Sequence, residues 1–186
     1  TRALTQIVTT WITGPVLGAL FAYGLYHLVK VMRRKITVHL IRYESWLRRG
    51  LMIAGAFGAY SLGANNIANV MGVFVPSLPL EPVDFGIFTM TGAQQLFFLG
   101  AIAIAAGVLT YSKKVMQTIG NNLLELSSEA AFVVVLSQAL VLFIFSSTAL
   151  SGLMVKIGLP PIPLVPVSST QVVVGSVLGI GLYKGV

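Results

Sequence analysis

The sequence predicts an all-α polytopic membrane protein, a transmembrane helical bundle with interrupted or re-entrant helices. Charge is scarce: 56% of the 186 residues are hydrophobic, 9% are charged and mean hydropathy is +0.90, against roughly 25% charged residues in soluble domains. Apolar runs such as Ile12 to Val31 and Ala93 to Thr110 match the roughly 20 residues a helix needs to cross about 30 Å of hydrocarbon. Ile102-Ala103-Ile104-Ala105-Ala106 is apolar on every side, whereas a β-barrel needs strands of alternating polarity.

Charge placement orients the bundle. Lys30, Arg33, Arg34, Lys35, Arg42, Arg48 and Arg49 fall in one segment with Glu44 as their acidic neighbour, and Glu81 and Asp84 fall in the next polar segment. By the positive-inside rule residues 30–49 are cytoplasmic, Glu81 and Asp84 lie outside, and Lys113 and Lys114 lie inside again. The net charge of +7 is thus a topology signal, and it implies no nucleic-acid partner. The basic segment 31–50 mixes its cations with Ile36, Val38, Leu40, Ile41, Trp46 and Leu47, which suits a helix at headgroup level as well as it suits a solvated linker. The expected location is the inner or plasma membrane, multi-pass, with residues 1–186 as a single transmembrane domain. The absence of cysteine excludes disulfides and thiolate metal sites.

The first span opens at Thr10 with Pro15 near its start, where a missing N–H is tolerated, and ends near Lys30. Because the chain begins with Thr1 and this span is too long for a cleaved signal peptide, a fragment of a longer chain is expected. Leu51 to Ser61 reads as a second helix interrupted at Gly63-Ala64-Asn65-Asn66 before Ile67 to Val75. Residues 76–84 form the outer loop and Gly92 to Ser112 the third span. Lys113 to Glu129 is too polar to span and reads as a short hairpin helix or gate before Ala130 to Ser146. Pro160, Pro161, Pro163 and Pro166 force a chain break, and a new helix or half-helix follows over Val172 to Leu182 with Ser168 or Ser169 as N-cap. The total is about four or five spans.

Two clusters carry chemistry. Ser168, Ser169 and Thr170 directly after the proline break combine three hydroxyls with the first free N–H groups and the positive dipole end of a helix, a nest for a small oxyanion. Neither cluster holds Lys or Arg, so a co-bound cation must meet the anion's charge. Asn65, Asn66, Asn69 and Gln171 can supply an oxygen-only shell that suits sodium, since a tight divalent site would offer carboxylates. The competing readings are hydrogen bonding between helices for the asparagines and self-satisfied hydroxyls for the serines. Glu125, Glu129 and Asn121 are candidates for coupling or gating, because carboxylates beside an apolar span are functional by default. The alternative has the glutamates facing water or pairing with Lys113 or Lys114. His27 and His39 lack partners at ligand spacing and no nucleophile turn occurs, so no enzymatic activity is expected.

Gly63-Ala64-Asn65-Asn66-Ile67-Ala68-Asn69 resembles the G-[AG]-N-[DN]-x-[AS]-N signature of the inorganic phosphate transporter (PiT) family. Pro166-Val167-Ser168-Ser169-Thr170-Gln171 through Gly175 resembles its P-[VI]-S-[ST]-[ST]-[HQ]-x-x-x-G signature. With Thr118-Ile119-Gly120 between them and Trp11 to Pro15 ahead, the resemblance covers nearly the whole chain. It implies a secondary transporter of two related halves in inverted topology, each with one copy of both signatures, and identifies this chain as a C-terminal half whose partner is the complementary N-terminal half. It implies phosphate at Ser168, Ser169 and Thr170 and sodium near Asn65, Asn66, Asn69 and Gln171. The family often has Asp where Asn66 stands and His where Gln171 stands, and both departures favour sodium over protons.

The expected function is sodium-coupled phosphate symport by alternating access, with membrane lipid and a second copy of the chain as the remaining partners and no cofactor besides the transported sodium. Proton-coupled phosphate transport, a permease for another oxyanion such as sulfate, and a non-transporting membrane interaction module are the alternatives.

Overall fold

The computed structural model describes residues 2–35, 39–122, 127–162 and 165–185. Its elements are α1 (Arg2–Lys35), α2 (Leu40–Met71), a two-residue hairpin β1 (Val83–Asp84) and β2 (Thr89–Met90), α3 (Gly92–Asn122), α4 (Ser128–Ser146), α5 (Thr148–Lys156) and α6 (Ser169–Lys184). The expectation of an all-α membrane protein holds: helix dominates, and Val8–Lys35, Gly92–Lys113 and Ser128–Ser146 are each long and apolar enough to cross a membrane. The chain divides into two compact units, residues 1–65 with 126–186, and residues 66–125.

Three boundaries differ from expectation. Pro15 sits well inside α1, because α1 begins at Arg2. The carbonyl that Pro15 leaves without its helix donor is that of Trp11, and long membrane helices tolerate proline where neighbouring groups re-satisfy such a carbonyl. α2 is continuous through Gly63-Ala64-Asn65-Asn66 to Met71, so the interruption expected at the asparagines is absent. The basic residues Arg42, Arg48 and Arg49 lie in the first turns of the same helix. Lys113 to Asn122 belongs to α3, which runs 31 residues, in place of a hairpin helix. Polar residues can prolong a helix past the bilayer because water satisfies their side chains, so hydropathy marks where a span ends and not where the helix ends. The proline break is observed: α5 ends at Ile157 and Gly158 (φ 81°), and α6 restarts at Ser169.

In the first unit α1, α4 and α6 pack together. One core cluster holds Ala22, Tyr26, Ala130, Val133, Val134 and Ile180. A second holds Val141, Leu142, Phe145, Val167 and Val172, and so lies against the proline break and the start of α6. Between α1 and α6 small residues decide the approach. A Cβ on Gly18 would stand 2.6 Å from the Val172 carbonyl oxygen, and one on Gly175 or Gly179 would overlap the backbone of Pro15 or Ala19. Gly14 and Gly18 of α1 lie against Val167 and Val172, and Gly175 and Gly179 of α6 lie against Pro15 and Ala19, each pair at the four-residue spacing that lets membrane helices meet backbone to backbone.

In the second unit the β1–β2 hairpin pairs Val83 with Met90 and Asp84 with Thr89. Asp84 Oδ1 accepts from the Gly86 amide at 2.9 Å, and Gly86 takes φ 78° to close the turn. Gln95 Nε2 donates to the Glu81 and Met90 carbonyls at 2.7 and 3.2 Å, fastening the loop to the start of α3.

Candidate functional site

The start of α6 is built by what precedes it. Rings at Pro160, Pro161 and Pro166 deny the chain a helix, so the segment needs outside partners, and Asn65 of α2 provides them. Its Nδ2 donates to the Val167 carbonyl at 2.9 Å, and the Val167 amide donates to its Oδ1 at 3.1 Å. The side-chain amide thereby replaces a neighbouring peptide group. Both partners are buried, Asn65 at 4% exposure and Val167 at 2%, so neither backbone group could turn to water. Gly14 makes room for this arrangement, since a Cβ there would stand 3.0 Å from Val167 Cγ1. Ser151 Oγ of α5 donates to the Ile162 carbonyl at 3.3 Å.

The helix restarts immediately beyond. Ser168 is the N-cap and makes no side-chain capping bond, and the Val172 amide gives α6 its first intrahelical bond, to the Ser168 carbonyl at 3.2 Å. The amides of Ser169, Thr170 and Gln171 therefore have no intrahelical acceptor. Ser168 and Ser169 are half-buried and Thr170 is exposed. Among the described residues, Gln171 Oε1 is a buried oxygen without a hydrogen-bond partner. Uncompensated burial of an amide oxygen costs about 1–3 kcal/mol, and a cation would offset it.

Of the sequence candidates, the structure brings Asn65 to the break before Ser168. Asn66 is half-buried on α2 and makes interactions of its own. Asn69 and Asn121 fall on α2 and α3 with side chains outside the described residues, and Glu125 lies outside them altogether.

Glu129 has described partners on two other helices: its Oε2 accepts from Lys30 Nζ at 2.6 Å, and its Oε1 accepts from Arg33 at 2.7 Å and from the Tyr43 hydroxyl at 3.0 Å. Three helix ends, those of α1, α2 and α4, are joined on one carboxylate at 7% exposure. Sequence distance hid this, since about a hundred residues separate Glu129 from Lys30 and Arg33. Tyr43 lies in the basic start of α2, where burial and then its bond to Glu129 push its hydroxyl up to about 12. His27 packs edge-on to Tyr183 at 5.8 Å, the distance between ring centres.

Sequence reasoning also missed Gly14, Gly18, Gly175 and Gly179, which seat the start of α6 against α1. Their signal was present as a four-residue glycine spacing in two helices.

Comparison with known proteins follows the same lines. The phosphate transporter family model matches residues 1–186. A protein of Methanocaldococcus jannaschii named "Putative phosphate permease" is 29% identical over 97% of this chain and 49% of its own length. Proteins of the same description from Pyrococcus furiosus and Haemophilus influenzae are 33% and 28% identical, over 77% and 73% of this chain and 31% and 29% of theirs. The chain thus spans about half the length, or less, of these relatives. No solved structure matches it.

Proposed function

This chain belongs to the phosphate transporter family, and from that premise we propose that it supplies half of a sodium-coupled carrier of inorganic phosphate in the cell membrane, the complementary half being its partner. The observation that carries the reading is the start of α6: a helix opened by a proline break, braced by Asn65, with an unpartnered buried oxygen on Gln171.

Phosphate is held by the hydroxyls of Ser168, Ser169 and Thr170 and by the first-turn amides of α6, aided by the positive end of the helix dipole. No Lys or Arg lies in either signature, so sodium supplies the countercharge. Gln171 Oε1 is its first ligand in this proposal. Asn65 holds both the carbonyl and the amide of Val167, so its chief part is to brace the phosphate loop. Sodium binds first, lowers the repulsion and lets phosphate settle; rocking of the two halves then exposes the site to the other side. Glu129 acts as the tie that holds three helix ends together through that motion.

The test is radiolabelled phosphate uptake by proteoliposomes of the complete transporter, with and without an inward sodium gradient and with excess sulfate. Sodium-dependent uptake that resists sulfate, and that falls at least tenfold in Ser169→Ala and Gln171→Ala at unchanged membrane expression, is the expected result. Normal uptake in both variants overturns the site, uptake without a sodium gradient overturns the coupling, and equal competition by sulfate makes the carrier a general oxyanion permease.

A further inference from the structure

A second polar site lies far from the start of α6. Lys30 and Arg33 of α1, Leu40, Tyr43, Glu44 and Leu47 of α2, and Ser127, Ser128 and Glu129 at the start of α4 line a cavity of about 240 Å³. Gly14 of α1 stands at Val167, and Lys30 is sixteen residues further along the same helix, or about 24 Å at 1.5 Å per residue. The cavity is therefore separate from the proposed phosphate loop.

Its depth is set by the helices. The membrane-spanning stretches Val8–Lys35 and Ser128–Ser146 each have one end in the cavity wall, which places it at a membrane boundary. Leu40, Ile41 and Trp46 are 65%, 74% and 48% exposed on the adjoining turns of α2, and exposed Trp is enriched at that level.

Its charge selects the occupant. Glu129 draws one N–H from Lys30 and one from Arg33, but an ammonium has three donors and a guanidinium five. These side chains remain 29% and 49% exposed. Around them Arg34, Lys35, Arg42, Arg48 and Arg49 are exposed as well, so cations exceed the carboxylates of Glu44 and Glu129 by five. Leu40 and Leu47 give the cavity an apolar wall. A phosphodiester with a glycerol attached has this pairing of anionic head and carbon stem, and basic pockets between helix ends recognise such headgroups.

We propose that this cavity binds the headgroup of an anionic glycerophospholipid, with Lys30, Arg33 and Ser128 donating to the phosphodiester and Leu40 and Leu47 packing on the glycerol. The bound lipid joins α1, α2 and α4 on the outside of the Glu129 tie.

The test uses the complete transporter, purified in detergent and titrated with phosphatidylglycerol or phosphatidylcholine while lipid retention is read by native mass spectrometry. Phosphatidylglycerol should be retained at least roughly fivefold better, the order of one or two charged contacts at a membrane surface. Ser128→Asp places an anion at the cavity in a helix first turn, where Asp is well tolerated, and should abolish the preference. Leu47→Trp fills the cavity without touching the cations and should do the same, whereas Arg49→Gln, outside the lining, should change retention by less than about twofold. Equal retention of both lipids, or loss with Arg49→Gln and none with Ser128→Asp and Leu47→Trp, overturns the proposal. Displacement of the lipid by millimolar inorganic phosphate would make the cavity a free-phosphate site and overturn it too. Phosphate uptake measured on the same preparations reports separately on the transport reading.

Discussion

Gly18→Ala adds one methyl group at the α1–α6 contact, and the structure sets what that methyl meets. Its Cβ would stand 2.6 Å from the Val172 carbonyl oxygen, 3.1 Å from Ser176 Oγ and 3.2 Å from Val172 Cγ1, where ordinary contacts begin at 3.4 Å. The carbonyl must retreat by about 0.8 Å. It is α6 backbone, and it accepts the buried Ser176 hydroxyl at 2.9 Å, so the retreat moves the first turn of α6 with it. Overpacking of this kind costs about 1–3 kcal/mol. Gly24 lies on the same helix, and a Cβ there would meet nothing within 4 Å, so Gly24→Ala should gain up to about 1 kcal/mol of helix propensity. The two variants have the same added atoms and opposite expected signs. Unfolding of the complete transporter in mixed micelles by titrated denaturing detergent measures both, and phosphate uptake shows whether KM rises in Gly18→Ala alone. Equal stability of the two variants would refute the backbone-to-backbone packing on which the position of α6 depends.

Asn65→Ala deletes both bonds to Val167 and leaves a buried amide and carbonyl unpaired, a cost of about 1–3 kcal/mol for each group. The phosphate KM should rise more than the sodium half-saturation, and an equal rise in both would make Asn65 a sodium ligand instead of a brace. Glu129→Gln leaves Lys30 and Arg33 without their anion. Because Arg33 is 49% exposed, the expected loss is about 1–3 kcal/mol, below the 3–5 of a fully buried pair, and an unchanged melting temperature would show that the tie is idle. Tyr43 has its hydroxyl raised from 10.0 to about 12, so the folded state favours the neutral phenol. Its contribution should be complete below pH 10 and lost as pH rises toward 12, and Tyr43→Phe should remove that component from the alkaline stability profile.

The membrane class, the helical content, the proline break and the two signature clusters were legible in the residues, because each rests on local properties. Hydropathy measures transfer of a segment into lipid, a proline ring acts on its own residue and its neighbours, and motif residues keep their spacing whatever they pack against. Helix continuity was less legible. Gly63-Ala64-Asn65-Asn66 looks like a break in a hydropathy trace, yet Asn65 can remain helical because Val167, about a hundred residues away, satisfies its amide. That pairing, the partners of Glu129 and the meeting of Gly18 with Val172 emerge once the helices pack. These are contacts between residues far apart in the chain, and their free energy depends on which groups come together after the helices pack, a property no single segment carries.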